Sequence, residues 1–185
     1  MIGILVAIAL AICLVAWVII TVTGLRQLAL LCDDSWADVV SDLKMRHELV
    51  PRLVATARPL LSEHAELLDG MLRASQEALA HKAPPGERGL DESAVSVTLQ
   101  RLLVLVEQRP TLKDDPEFQR LRKELMLVEE RIQSSRRYYN TSAKDLFKRS
   151  RAFPAGLIAG SEVTSRREVF ELLPVGLAGP NGHPR

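Results

Sequence analysis

The sequence predicts an all-α protein: an N-terminal transmembrane helix followed by an antiparallel bundle of about four helices. Three observations carry this. The first 25 residues hold no charged side chain, and from Ile2 to Val22 nearly every residue is Ile, Leu, Val or Ala. Beyond them, apolar residues recur at spacings of three and four, the period of a helix that buries one face. No strand-like alternation is present, and aromatic residues make up only 4% of the chain, which suits helices better than sheets.

The apolar run matches a bilayer core of about 30 Å at a rise of 1.5 Å per residue. It is longer than the apolar region of a signal peptide, and only Met-Ile-Gly precedes it, without Lys or Arg. It therefore reads as a retained anchor over residues 1–24, with cleavage near Thr21–Gly24 as the alternative. Trp17 suits one membrane interface. Arg26 is the only basic side chain before Lys44, and it tilts the positive-inside rule toward a cytoplasmic C-terminal domain. The expected location is the cell membrane, with a single pass.

The bundle follows over residues 25–152. Leu25, Leu28, Cys32, Trp36, Val39 and Leu43 form one stripe, opposed by Asp33, Asp34, Asp38 and Asp42. A break is expected around Arg46–Leu49, because Pro51 suits the first turn of a second helix. That helix carries Val50 to Ala78, with a kink at Pro59. His81–Gly89, rich in Pro and Gly, reads as a loop. Asp91 or Ser93 then caps a short helix ended by Pro110. Asp115-Pro116-Glu117 supplies a cap, a proline at the first helical position and an acid in the first turn. A helix of about 30 residues follows to near Arg149, with Tyr139 on its apolar stripe and many basic residues outside. This basic helix and the acidic first helix are expected neighbours. Residues 153–173 form a short apolar extension. Residues 174–185, rich in Pro and Gly, read as a disordered tail.

Few residues suggest chemistry. The net charge of +1 gives no argument for a nucleic-acid partner. Cys13 and Cys32 do not make a disulfide framework and read as small buried apolar residues. His47-Glu48 and Glu63-His64 pair histidine with carboxylate, but adjacent helical residues diverge by about 100°, so neither pair is half a zinc site. No nucleophile elbow or phosphate-cradling loop is present. No cofactor, metal or catalytic residue is assigned, and the protein is not expected to be an enzyme. Tyr139 needs a hydrogen-bond partner if buried, and Asn140 is placed to bridge to the break at His47–Pro51. His47, Tyr139 and Asn140 are thus a candidate structural polar clamp. Arg136, Arg137, Lys144 and Lys148 are candidate contacts for an anion or acidic lipid headgroup, against the plainer reading of a solvated basic face.

Several segments resemble one family. Trp36-Ala37 precedes Leu43-Lys44-Met45-Arg46-His47-Glu48-Leu49-Val50-Pro51-Arg52-Leu53-Val54. Arg136-Arg137-Tyr138-Tyr139-Asn140 lies in the last helix, followed by Phe153-Pro154 and Leu157-Ile158-Ala159. With a single N-terminal span before them, these resemble the LemA family of bacterial membrane-anchored helical proteins, from the anchor to about Glu171. The chain departs from the pattern at several positions. Val40 stands where the family has Asp, Arg52 where it has Asn, and Pro59-Leu60 where it has Gly-Tyr. Leu146-Phe147 replaces a second Tyr-Asn, Gly156 replaces an Asn, and the Gly-Phe that usually follows is missing. Polar contacts joining those positions are therefore lost or rebuilt. The resemblance implies the anchor and bundle, and no reaction.

The expected function is a non-catalytic interaction, scaffolding or assembly role at the bacterial cell envelope. The expected partners are the lipid bilayer, a membrane or envelope protein, or a second copy of the chain. The alternative is a membrane-surface sensor that binds anionic lipid or a small ligand through the basic last helix.

Overall fold

A computed structural model describes residues 2–153, 155–158 and 167–172, and among these every regular element is helical. Helix α1 (Ile2–Ala57) is one unbroken helix of 56 residues, about 84 Å long at 1.5 Å per residue. After a turn and a short 3-10 segment (Ser62–His64) come α2 (Ala65–Ala80), α3 (Pro85–Glu107), the single turn α4 (Pro110–Lys113), the 36-residue α5 (Pro116–Arg151) and the short α6 (Ala155–Ile158). The irregular segment 167–172 lies across the bundle as a strap.

The helices run alternately up and down. Arg58 at the end of α1 pairs with Asp69 early in α2, and Glu107 at the end of α3 pairs with Arg122 early in α5. Helix α1 packs chiefly on α5, while α2 lies on α3 and on α1. The core is filled by the expected stripes: Val39, Leu43, Val50 and Leu53 of α1, Leu68 and Met71 of α2, Val95, Leu102 and Val106 of α3, and Phe118, Leu121, Leu125 and Ile132 of α5. The acidic and basic helices are neighbours, as their faces suggested: Asp42 of α1 meets Arg131 of α5 at 3.1 Å. Asp115 caps α5 by accepting from the Phe118 N–H at 2.8 Å.

The first third of α1 is long and apolar enough to cross a membrane, and its large apolar side chains are exposed from Ile2 to Ile20. No helix boundary separates this stretch from the bundle.

Several local expectations are corrected. The chain does not break at Arg46–Leu49. Helix α1 carries Pro51 inside it, because Arg46 and His47 are buried against α3 and that packing outweighs the hydrogen bond a proline cannot donate. Pro59 kinks nothing, since α1 has already ended at Ala57 and Pro59 lies in the following turn. The loop after α2 is only 81–84, and Pro85 opens α3 at its first position, so Asp91 and Ser93 lie inside that helix and cap nothing. Helix α3 stops at Glu107, and Pro110 starts α4 rather than ending its predecessor. Residues 174–185 lie outside the described residues.

Candidate functional site

Two polar constructions hold the bundle. The first is a hub at its centre. Arg46 and His47 project from α1 onto Glu92 of α3, and all three are buried. The Arg46 guanidinium forms an ion pair with Glu92, donates to Ser96 Oγ at 3.1 Å, and reaches Glu129 of α5 at 3.3 Å. The His47 ring lies between Glu92 Oε1, 3.1 Å from Nε2, and Ser75 Oγ of α2, 2.8 Å from Nδ1. A carboxylate only accepts, so Nε2–H donates to Glu92, and in the neutral ring Ser75 donates to Nδ1. Four helices thereby meet at one charged cluster. Burial pushes the Glu92 carboxyl up, but the hydrogen bond from His47 and the charge of Arg46 outweigh it and hold the group below the usual carboxylate range.

Ser75, His47 and Glu92 have the connectivity of a hydrolytic triad. The setting argues otherwise. Each is at most 3% exposed and Ser75 lies inside α2, so its hydroxyl is closed to solvent in this structure. Removal of either partner from the Arg46–Glu92 pair would leave a buried charge, which is the mark of a structural lock.

The second construction binds the strap. Tyr139 is 1% exposed, and its hydroxyl donates to the Glu168 carbonyl at 2.7 Å. Asn140 uses both ends of its amide on Phe170: Nδ2 donates to the carbonyl and Oδ1 accepts from the N–H, each at 2.9 Å. This reproduces one rung of a β-ladder with a side chain. Phe170 is fully buried against Trp36, with ring centroids 5.4 Å apart, and Trp36 also meets Tyr139 at 5.1 Å. Arg167 closes the strap on Asp33 of α1 through two hydrogen bonds of 2.9 and 2.7 Å. On the far side the Glu171 carbonyl lies where a Cβ on Gly89 of α3 would be, so only glycine admits the strap there.

The structure thus joins Tyr139 with Asn140 in a clamp but leaves His47 out of it. Asn140 holds the strap and not the region His47–Pro51, because His47 is committed to Glu92 and Ser75. Sequence reasoning missed Arg46 and Glu92, whose pairing spans 46 positions. It also missed Phe170, a lone aromatic outside any periodic stretch. His64 sits in the 3-10 turn beside Glu63, away from the hub. Among the described residues no group of three or more His, Cys, Asp and Glu is placed to hold a metal ion.

The four basic candidates divide by height along the bundle. Trp36 faces Tyr139, Asp42 faces Arg131, and Trp17 meets Phe153 with ring centroids 5.8 Å apart. This register sets Arg136 and Arg137 beside residues near Asp38, about 20 Å along α1 beyond Gly24. Arg136 is half-buried and donates to Gln133 at 2.8 Å. Lys144 and Lys148 are exposed and lie far lower, Lys148 near the level of Arg26. Arg149 and Arg151 join them there, and Arg151 stacks over the Phe147 ring at 3.9 Å. An open cavity of about 410 Å³ between α1 and α5, edged by Asp38, Asp42, Arg131 and Tyr138, lies higher up.

The LemA family model matches residues 35–176, about three quarters of the chain. No curated protein matches it.

Proposed function

We propose that this chain, which belongs to the LemA family, is a single-pass membrane protein whose bundle has a non-catalytic interaction, scaffolding or assembly role at the bacterial cell envelope. The observation that carries the reading is the continuity of α1. One helix runs from an apolar stretch able to cross a membrane into the packed core, so the bundle stands at a set height and orientation above its anchor. The hub ties α1 to α2, α3 and α5, and the strap ties α1, α3 and α5, which stiffens that support. The domain is read as cytoplasmic from Arg26, the lone basic residue that follows the apolar run in sequence before Lys44.

Crosslinking in cells on the full-length chain, followed by mass spectrometry, tests this. A specific membrane or peripheral partner supports an adaptor and reports the side it faces. Crosslinks only between copies support homo-oligomeric assembly. Absence of both counts against the reading.

A second reading is favoured by one observation: Lys144 and Lys148, with Arg149 and Arg151, cluster at the end of α5 nearest the apolar stretch. Such a cluster attracts anionic headgroups. Salt-sensitive binding of the fragment 26–172 to anionic vesicles supports a membrane-surface sensor, and no binding even at low salt removes it.

A further inference from the structure

We infer that the turn after α5, Ala152 to Ile158, is a second membrane contact: an apolar wedge seated in the bilayer interface beside the anchor helix. The proposal rests on residues 2–22 of α1 lying in a bilayer, and adds a part of the chain that the anchor does not include.

Phe153 packs its ring on Trp17, which lies five residues inside Val22 and nine before Arg26. At 1.5 Å per residue that is about 7–13 Å below the end of the apolar run. The contact fixes Phe153 at the same level, whatever the exact boundary. Helix α6 also packs on α1, so the turn stays beside the span rather than swinging away. Phe153 is 77% exposed among the described residues, so most of its ring lies open at the level of Trp17. Burial of a phenylalanine ring is favourable, and acyl chains at this depth supply the cover.

Charge gives the same placement. Lys144, Lys148, Arg149 and Arg151 precede the turn, and no charged residue then occurs from Ala152 to Gly160, until Glu162. Basic residues ending near the level of Arg26, followed in sequence by an uncharged run whose Phe153 lies lower, at Trp17, are the pattern of an element that enters an anionic interface. The strap at 167–172 is back on the bundle, with Arg167 on Asp33, nine residues above Gly24. Phe153 at the level of Trp17 and Arg167 at the level of Asp33 thus lie at different heights along α1.

The test places an environment-sensitive NBD label on a single cysteine of the full-length chain, reconstituted in vesicles of phosphatidylcholine and phosphatidylglycerol. Cys13 and Cys32 are first changed to alanine. Labels go at Phe153→Cys, at Ile12→Cys in the span, and at the exposed Arg137→Cys on the bundle. Blue-shifted emission at 153, quenched by lipids carrying a doxyl group near the headgroup end of the acyl chain, is expected, with 137 red-shifted and unquenched. If 12 is quenched and 153 behaves like 137, the wedge is wrong and the anchor stands. If neither 12 nor 153 is quenched, both the anchor and the wedge are overturned. Ala152→Cys, also exposed, repeats the reading should the 153 variant lose its helical circular dichroism.

Discussion

Replacing Glu92 with Gln would leave the Arg46 guanidinium buried without its closest counter-charge. Breaking one side of such a pair costs about 3–5 kcal/mol, and urea titration of the detergent-solubilised chain should show a loss of that order. Glu129, 3.3 Å from Arg46 and 29% exposed, softens the loss and sets the lower end of the range. The pH dependence has a definite sign. The folded carboxyl of Glu92 lies below its unfolded value, so its contribution is complete above the unfolded value of about 4.3 and is lost as pH falls through the lower folded one. Thermal midpoints measured down an acid series should therefore fall below about pH 4, and the Glu92→Gln variant should lose part of that slope. By contrast, Arg120 pairs with Glu117 and Glu124 entirely on the surface, and Arg120→Ala should leave the midpoint of the same titration nearly unchanged. Nothing local distinguishes these two kinds of arginine. Arg46 sits among Lys44, His47 and Glu48 and reads as a polar break, while its partner arrives from another helix. The hub was illegible because its meaning is a long-range pairing.

The strap offers a sharper comparison between two substitutions. Asn140→Ala removes both hydrogen bonds to Phe170, at about 1 kcal/mol each. Gly89→Ala improves α3 by up to about 1 kcal/mol of helix propensity yet sets a methyl group where the Glu171 carbonyl lies. Both should release the strap, and limited trypsin digestion should cut after Arg167 faster in each than in the parent chain. If Gly89→Ala digests at the parent rate, the strap does not depend on that close approach. Among the helices, α5 was the most readable from sequence, because Asp115, Pro116 and Glu117 each satisfy a separate requirement of a helix start. Helix α1 was the least readable around Pro51. A proline at a first turn and a proline held inside a packed helix look alike until the packing is known. Tyr139 was singled out by its place on the stripe and the hydrogen bond it needs, whereas Glu168, which accepts from it, and Phe170, which Asn140 holds, carried no periodic signal.

Charge and apolar surface are distributed along the length of the whole chain in a way that is itself testable. Reversing Lys144 and Lys148 to Glu should weaken binding of the 26–172 fragment to anionic vesicles by more than about 1 kcal/mol per site and flatten its salt dependence. Reversing Arg137 should change less, since it stands about 10 to 16 Å higher along α5 than Lys144 and Lys148. The overall class, an apolar helix followed by a helical bundle, was legible because two periods and one composition determine it. The relative heights of residues were not, since they depend on the register of α1 against α5. That register has a mechanical meaning. With no helix boundary between the apolar stretch and Arg46, α1 can act as a drive shaft, carrying a change of tilt or rotation at its lower end toward the hub. A thicker or thinner bilayer, which alters the tilt of a span, would swing the far end of the bundle sideways. The protein would then report the state of its membrane as a displacement of its tip.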